Sequence, residues 1–238
     1  MSYIENPKTK DSGVLCAIPQ TGTCPVGCAD CFFQGGRSYL EPLNEHLPNM
    51  PTPDMAKGMV VRCNDGNDSN VNRDLVIASM AQYDDVFFNT SIPTDLEGFP
   101  GPVVLTLNPA GRTDTHIWDL ASLRNIMALR LRVNPWNRHL AEEACARYAS
   151  RGIPVIMTFL AYYSDGIRPG YERYFTYRKR TMNSYHVITR EGWEEIVRPF
   201  IGNPCMWTCG RDADSFACKH CGNCLKAYRM AKSKVETP

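Results

Sequence analysis

Cys24, Cys28 and Cys31 stand four and three residues apart in a short loop that also carries Pro25 and Gly27. Such a loop can wrap three thiolates around one corner of a metal cluster. Three protein thiolates leave a cubic iron–sulfur cluster with one iron unclaimed by protein, and that iron can bind a small molecule. The spacing therefore points to chemistry at a cluster rather than to electron storage alone.

A second group lies near the other end of the chain. Cys205-Met-Trp-Thr-Cys209 is followed, after eight residues, by Cys218-Lys-His-Cys221-Gly-Asn-Cys224. Five thiols and His220 so close together exceed anything core packing needs. A tetrathiolate zinc site takes four thiols, and so does a 4Fe–4S cluster, for which a run of cysteines three apart is a common spacing. Either reading leaves one thiol spare, and Cys205 is the first candidate for it. Either way the centre staples a segment near a terminus that would otherwise fray.

The chain must hold both groups in position. At 238 residues, 43% hydrophobic and 21% charged, it has the composition of a globular protein of one large domain with a small appendage. A formal net charge of +1 gives no global field for nucleic acid or membrane. The N-terminal stretch is polar, and no run of eighteen apolar residues occurs, so the expectation is a cytoplasmic protein without a membrane span. Eleven cysteines, an odd number and mostly clustered, argue for metal ligation in a reducing compartment over a disulfide framework. Cys16, Cys63 and Cys145 fall outside both groups and read as packing residues.

Hydrophobic patterning places strands over 13–19, 57–63, 85–90, 102–108, 127–134 and 154–160. Helices are expected over 71–83, 117–125, 137–151 and 191–201. The alternation predicts an α/β protein with a parallel sheet curled by right-handed crossovers, a partial (β/α)6 TIM-like barrel. It spans residues 1–200, with a cysteine-rich C-terminal extension at 201–238 binding a second metal centre. The first cysteine loop follows the first strand, on the face where parallel sheets bind ligands. Residues 161–190 mix six tyrosines with arginines and a lysine. They read as a solvated surface excursion or as a platform for stacking bases and holding phosphates.

Cys24-x3-Cys28-x2-Cys31, directly after a first strand, resembles the signature of the radical S-adenosylmethionine (radical SAM) superfamily. The resemblance covers the three cysteines and, more loosely, the strand alternation to residue 160. It implies a 4Fe–4S cluster on Cys24, Cys28 and Cys31 whose open iron chelates the amino and carboxylate groups of SAM. Reductive cleavage would give methionine and a 5′-deoxyadenosyl radical that abstracts hydrogen from a substrate. It also implies an electron donor such as flavodoxin or ferredoxin. Gly66-Asn67-Asp68 matches the segment that contacts the SAM amino group, which assigns Asn67 and Asp68 that role. Asp30 stands where the family often has an aromatic before the third cysteine; Phe32 and Phe33 follow instead and would flank the adenine. Thr106, Asn108 and Asn134 are the candidates for ribose and carboxylate. The C-terminal cysteines resemble auxiliary-cluster extensions, here a second 4Fe–4S cluster or a zinc ion.

The substrate class stays open between a nucleotide or nucleic acid, a peptide, and a small metabolite. Tyr162, Tyr163 and Cys63 are placed near the barrel mouth as radical or proton donors. The competing class is a non-enzymatic zinc or iron–sulfur module for partner recognition, in which His46 would complete the first site.

Overall fold

Six short apolar runs make the sheet. A computed structural model of the chain describes residues 2–28, 31, 33, 38–108, 117–159, 161–163, 166–179, 184–210 and 218–236. In it the runs form β1 (Val14–Ala17), β2 (Val60–Cys63), β3 (Val86–Thr90), β4 (Val103–Leu107), β5 (Ile126–Val133) and β6 (Val155–Phe159). Residues rich in tyrosine and arginine follow as β7 (Ala161–Tyr163), β8 (Phe175–Arg178) and β9 (Tyr185–Ile188), a separate antiparallel sheet in the order β7-β9-β8. Then β10 (Met206–Thr208), from the cysteine-rich segment, returns to the main sheet and pairs parallel with β6. The main sheet runs β1-β2-β3-β4-β5-β6-β10, all parallel, and curls into a half-barrel.

The helical crossovers are uneven. α1 (Pro53–Ala56) and α2 (Arg73–Met80) flank β2, α3 (Arg138–Arg147) links β5 to β6, and α4 (Arg190–Val197) precedes β10. Thr189 caps α4 by accepting the Gly192 amide N–H at 3.2 Å. The helix expected over 117–125 is absent: these residues turn on i→i+3 bonds, Leu123 to Leu120 and Ile126 to Leu123. The Tyr148 hydroxyl explains this. It donates to the Trp118 carbonyl, which a helix would have paired with the Ser122 N–H, and accepts from the Leu120 N–H, holding the segment in a turn.

The sheet separates two cores. Leu15, Val61, Phe88, Leu105, Leu129 and Met157 face outward against Val76 and Met80 of α2, Leu140 and Ala144 of α3, and Ile196 of α4. On the inner face Val14, Val60, Phe87, Val104, Ile156 and Trp207 pack against α6 (Asn223–Glu236), chiefly Ala227 and Tyr228. Each large apolar side chain so buried contributes about 1.5–3 kcal/mol. α6 follows α5 (Cys218–Cys221) and lies close on the chain just before β1: a Cβ on Gly13, whose φ is +77°, would stand 3.1 Å from Leu225 Cδ2. The C-terminal segment thus fills the base of the half-barrel instead of standing apart from it.

Candidate functional site

Side chains two apart on a strand share a face. On the inner face each strand carries an apolar residue first and a polar one after it: Val60 then Arg62, Phe87 then Asn89, Val104 then Thr106. The series continues with Ala128 then Arg130 and Arg132, Ile156 then Thr158, and Trp207 then Cys209. The apolar members seat α6, and the polar members line one cavity of about 760 Å³ at the C-terminal strand ends. Loops supply the rest of the wall. Cys24, Cys28 and Cys31 come from the loop after β1, and Cys218, Cys221 and Cys224 from α5 and the start of α6. Thiols from the two ends of the chain therefore share a single cavity, with Tyr185 and Val187 of β9 as part of its wall.

Cys205 lies elsewhere. It immediately precedes β10, whose other end leads into Cys209, and it does not line the cavity. Its carbonyl accepts from Val155 at 2.8 Å and its amide donates to Asn203 Oδ1 at 3.0 Å. Cys209, by contrast, is held over the cavity by its amide bond to the Met157 carbonyl at 2.7 Å.

Of the remaining four thiols, Cys209 and Cys218 are shifted by their surroundings. Burial pushes the Cys209 thiol up to about 12, and the charges of Cys218, Cys224 and Cys221 add to that, while Arg130 opposes it. Cys218 is raised for the same first reason, opposed by Arg62. Burial also raises Cys24, with Asp68, Cys28 and Cys31 contributing. Thiols crowded in this way lose their protons readily only to a bound cation, so metal loading would release protons. Among the described residues no three Cys, His, Asp or Glu side chains converge as a single-ion site.

Two arginines attend the C-terminal thiols. Arg130 Nη2 donates to Cys224 Sγ at 3.6 Å. Arg62 is buried and pairs with Asp65, and its Nη2 reaches Cys16 Sγ at 3.2 Å. Burial works against its charge, but Asp65, Cys16, Cys218 and Cys224 outweigh it and hold the guanidinium protonated.

Asn67 and Asp68 line the cavity beside Gly66. The Asp68 carboxylate is engaged within the chain: Oδ1 accepts from Asn70 N–H at 2.9 Å and Thr90 Oγ1 at 2.6 Å. Oδ2 accepts from the amide and hydroxyl of Ser91 at 2.6 and 2.8 Å. Asp68 thus ties the loop after β2 to the end of β3. Among the described residues, buried polar atoms nearby find no partner: Asn64 Oδ1 and Asn89 Oδ1, together with the Tyr39 hydroxyl, all in the cavity wall.

Other expected residues divide. Thr106 and Asn108 line the cavity. Asn134 does not; it caps the turn after β5, accepting from the amides of Trp136 and Asn137 at 3.1 Å. Phe33 is buried against Gly66 in the cavity wall, whereas Phe32 lies outside the described residues. Cys63 faces the outer core, where burial pushes its thiol up to about 12, so it is not a group of the cavity. Tyr162 and Tyr163 belong to β7 by backbone, and their side chains lie outside the described residues. His46 follows a turn at Leu43–Glu45 and does not line the cavity. The tyrosine–arginine stretch divides: Tyr171 and Tyr174 adjoin each other and the core, with Trp136 edge-on to Tyr171, while Tyr177 is exposed and Tyr185 lines the cavity.

Asn64 and Asn89 are the polar residues at the ends of the second and third strands, on the ligand-binding face; Arg62, Arg130, Arg132 and Thr158 were not expected. Their signal was present in the strands themselves, as polar side chains alternating with apolar ones in Val60-Val-Arg62 and Ala128-Leu-Arg130-Leu-Arg132. No protein-family model, curated protein or solved structure matches the chain. No helix among the described residues is long and apolar enough to cross a membrane.

Proposed function

We propose that this chain is a radical SAM enzyme built on a partial (β/α)6 TIM-like barrel, with Cys24, Cys28 and Cys31 holding a 4Fe–4S cluster. The observation that carries the reading is the sharing of one cavity by these three thiols, the Gly66-Asn67-Asp68 segment and the polar ends of β3 to β6. When bound, the cluster supplies the electron that cleaves SAM to methionine and a 5′-deoxyadenosyl radical, which takes a hydrogen atom from the substrate. Three thiolates from one loop suit a cluster with an exchangeable corner. The unpartnered Asn64 Oδ1 and Asn89 Oδ1 suit an ammonium donor, and in this reading they receive the amino group while Asp68 ties the loop that begins at Asn64 to the end of β3, the strand that carries Asn89. Thr106 and Asn108 remain the candidates for ribose and carboxylate.

The C-terminal centre is assigned to Cys209, Cys218, Cys221 and Cys224 as a second 4Fe–4S cluster. Cys205 is left to hold the entry of β10. The setting is cytoplasmic, with a flavodoxin- or ferredoxin-type donor. A cavity walled by β9 and shared by both centres favours a small substrate over a nucleic acid strand.

The test is spectroscopic. In anaerobically reconstituted, reduced protein, SAM should change the electron paramagnetic resonance spectrum of one cluster, and Cys28→Ala should remove that response while sparing the other signal. A spectrum indifferent to SAM in fully loaded protein contradicts the proposal.

A further inference from the structure

The two cysteine groups sit in different electrostatic settings. Arg130 Nη2 points at Cys224 Sγ at 3.6 Å, close enough for a charge-assisted N–H···S contact. Arg130 stands on β5 between Thr106 of β4 and Ile156 of β6, so the strand ladder fixes its backbone. Among the described residues no carboxylate forms an ion pair with it. Arg62 adds a second cation near Cys218 and Cys224, partly offset by its ion pair with Asp65. The other group shares its cavity wall with the Asp68 carboxylate, whose oxygens accept from Asn70, Thr90 and Ser91 and which among the described residues forms no ion pair.

A cluster gains one electron on reduction, with no bond made or broken, and becomes one charge more negative. A nearby cation, and a hydrogen bond to a ligand sulfur, stabilise the reduced form more than the oxidised form and so raise the potential. We propose that Arg130, acting through the Cys224 thiolate as a positioning residue, sets the C-terminal centre at a higher reduction potential than the centre on Cys24, Cys28 and Cys31. This rests on the reading that both centres are clusters. An electron entering the protein at equilibrium then settles at the C-terminal centre, and the first centre is reduced only at lower potential.

The experiment isolates one centre. A Cys24→Ala/Cys28→Ala/Cys31→Ala variant, reconstituted with iron and sulfide, is titrated potentiometrically with detection by electron paramagnetic resonance, beside the full chain. The full chain should show two midpoints, and the higher one should persist in the triple variant. Arg130→Gln or Arg130→Met in that background should move it to lower potential at unchanged iron content, and Arg130→Lys, which keeps the charge, should restore part of the shift. Two neutral variants are used so that one that fails to load does not decide the outcome. An unchanged midpoint in either loaded neutral variant overturns the proposal. So does a triple variant that retains only the lower midpoint, or one that takes zinc and gives no reducible signal. Failure of SAM cleavage in the full chain would instead overturn the enzymatic reading and leave the midpoint shift standing.

Discussion

Asp68 Oδ2 accepts both the amide N–H and the hydroxyl of Ser91, at 2.6 and 2.8 Å, and this pair locks the loop after β2 onto the end of β3. With Asn70 and Thr90 on its other oxygen, the carboxylate satisfies four donors at a position 5% exposed. Asp68→Asn replaces one acceptor oxygen by a donor facing donors. The expected loss is about 2–3 kcal/mol of stability, read as a lower urea midpoint in unloaded protein. Ser91→Ala should cost less, since the backbone amide bond persists. An Asp68→Asn midpoint equal to wild type would mean that the loop does not depend on this carboxylate.

Cys205 and Cys209 occupy opposite ends of one short strand, and only Cys209 reaches the cavity. With the first three cysteines replaced by alanine, Cys205→Ala should leave the iron content of the C-terminal centre unchanged. Cys209→Ala should reduce it severely. Iron and sulfide analysis after anaerobic reconstitution decides the matter, and equal losses from the two variants would return Cys205 to the ligand set.

Asp85 is one of the polar anchors of the C-terminal helix. Asp85 accepts from Lys232 Nζ at 2.6 Å and from the Tyr228 hydroxyl at 2.8 Å, and these two bonds hold its carboxyl below the usual range. A lowered carboxyl contributes stability that is complete above its ordinary value of about 3.9 and is lost as pH falls through the lowered value. At neutral pH Asp85→Asn should therefore weaken α6 docking by about 1 kcal/mol, since the lysine is half exposed. Hydrogen exchange of α6 amides should quicken by about fivefold. The variant should also lose the part of the acid sensitivity of α6 that wild type shows, and an exchange rate unchanged at pH 7 would refute the anchor.

Gly66 admits the Phe33 ring against its backbone, and a methyl group there would fall within the ring. Gly66→Ala should displace Phe33 and, on the proposed function, weaken SAM binding by about tenfold, equivalent to 1.4 kcal/mol. Phe33→Leu combined with Gly66→Ala should recover part of the loss, because the smaller side chain makes room. Equilibrium binding of SAM to loaded protein measures both. Affinity in Gly66→Ala equal to wild type would separate Phe33 from the SAM site.

The six main strands were legible because each is a short run rich in apolar residues, interrupted only by single polar side chains such as Arg62, Arg130 and Arg132. β10 was not: three residues, Met206 to Thr208, carry too little periodicity, and their pairing with β6 is a tertiary fact. The 117–125 helix failed because Tyr148, distant in sequence, claims the Trp118 carbonyl and holds the segment in a turn. For the site, cysteine spacing carries its own chemistry and needs no fold to be read. Arg62 and Arg130 carry none until α6 is known to cover the apolar residues two positions before them. Asp68 lines the cavity, but the four donors that engage it come from its own loop, from the last residue of β3 and from Ser91 just after it, and only the fold brings them together.

The most direct test of the proposed activity is formation of 5′-deoxyadenosine. Protein reconstituted anaerobically with iron and sulfide, then given SAM and a strong reductant, should release 5′-deoxyadenosine and methionine, and Cys28→Ala should abolish the release while the C-terminal centre stays loaded. Fully loaded protein that forms none, or zinc filling both cysteine groups, would contradict it.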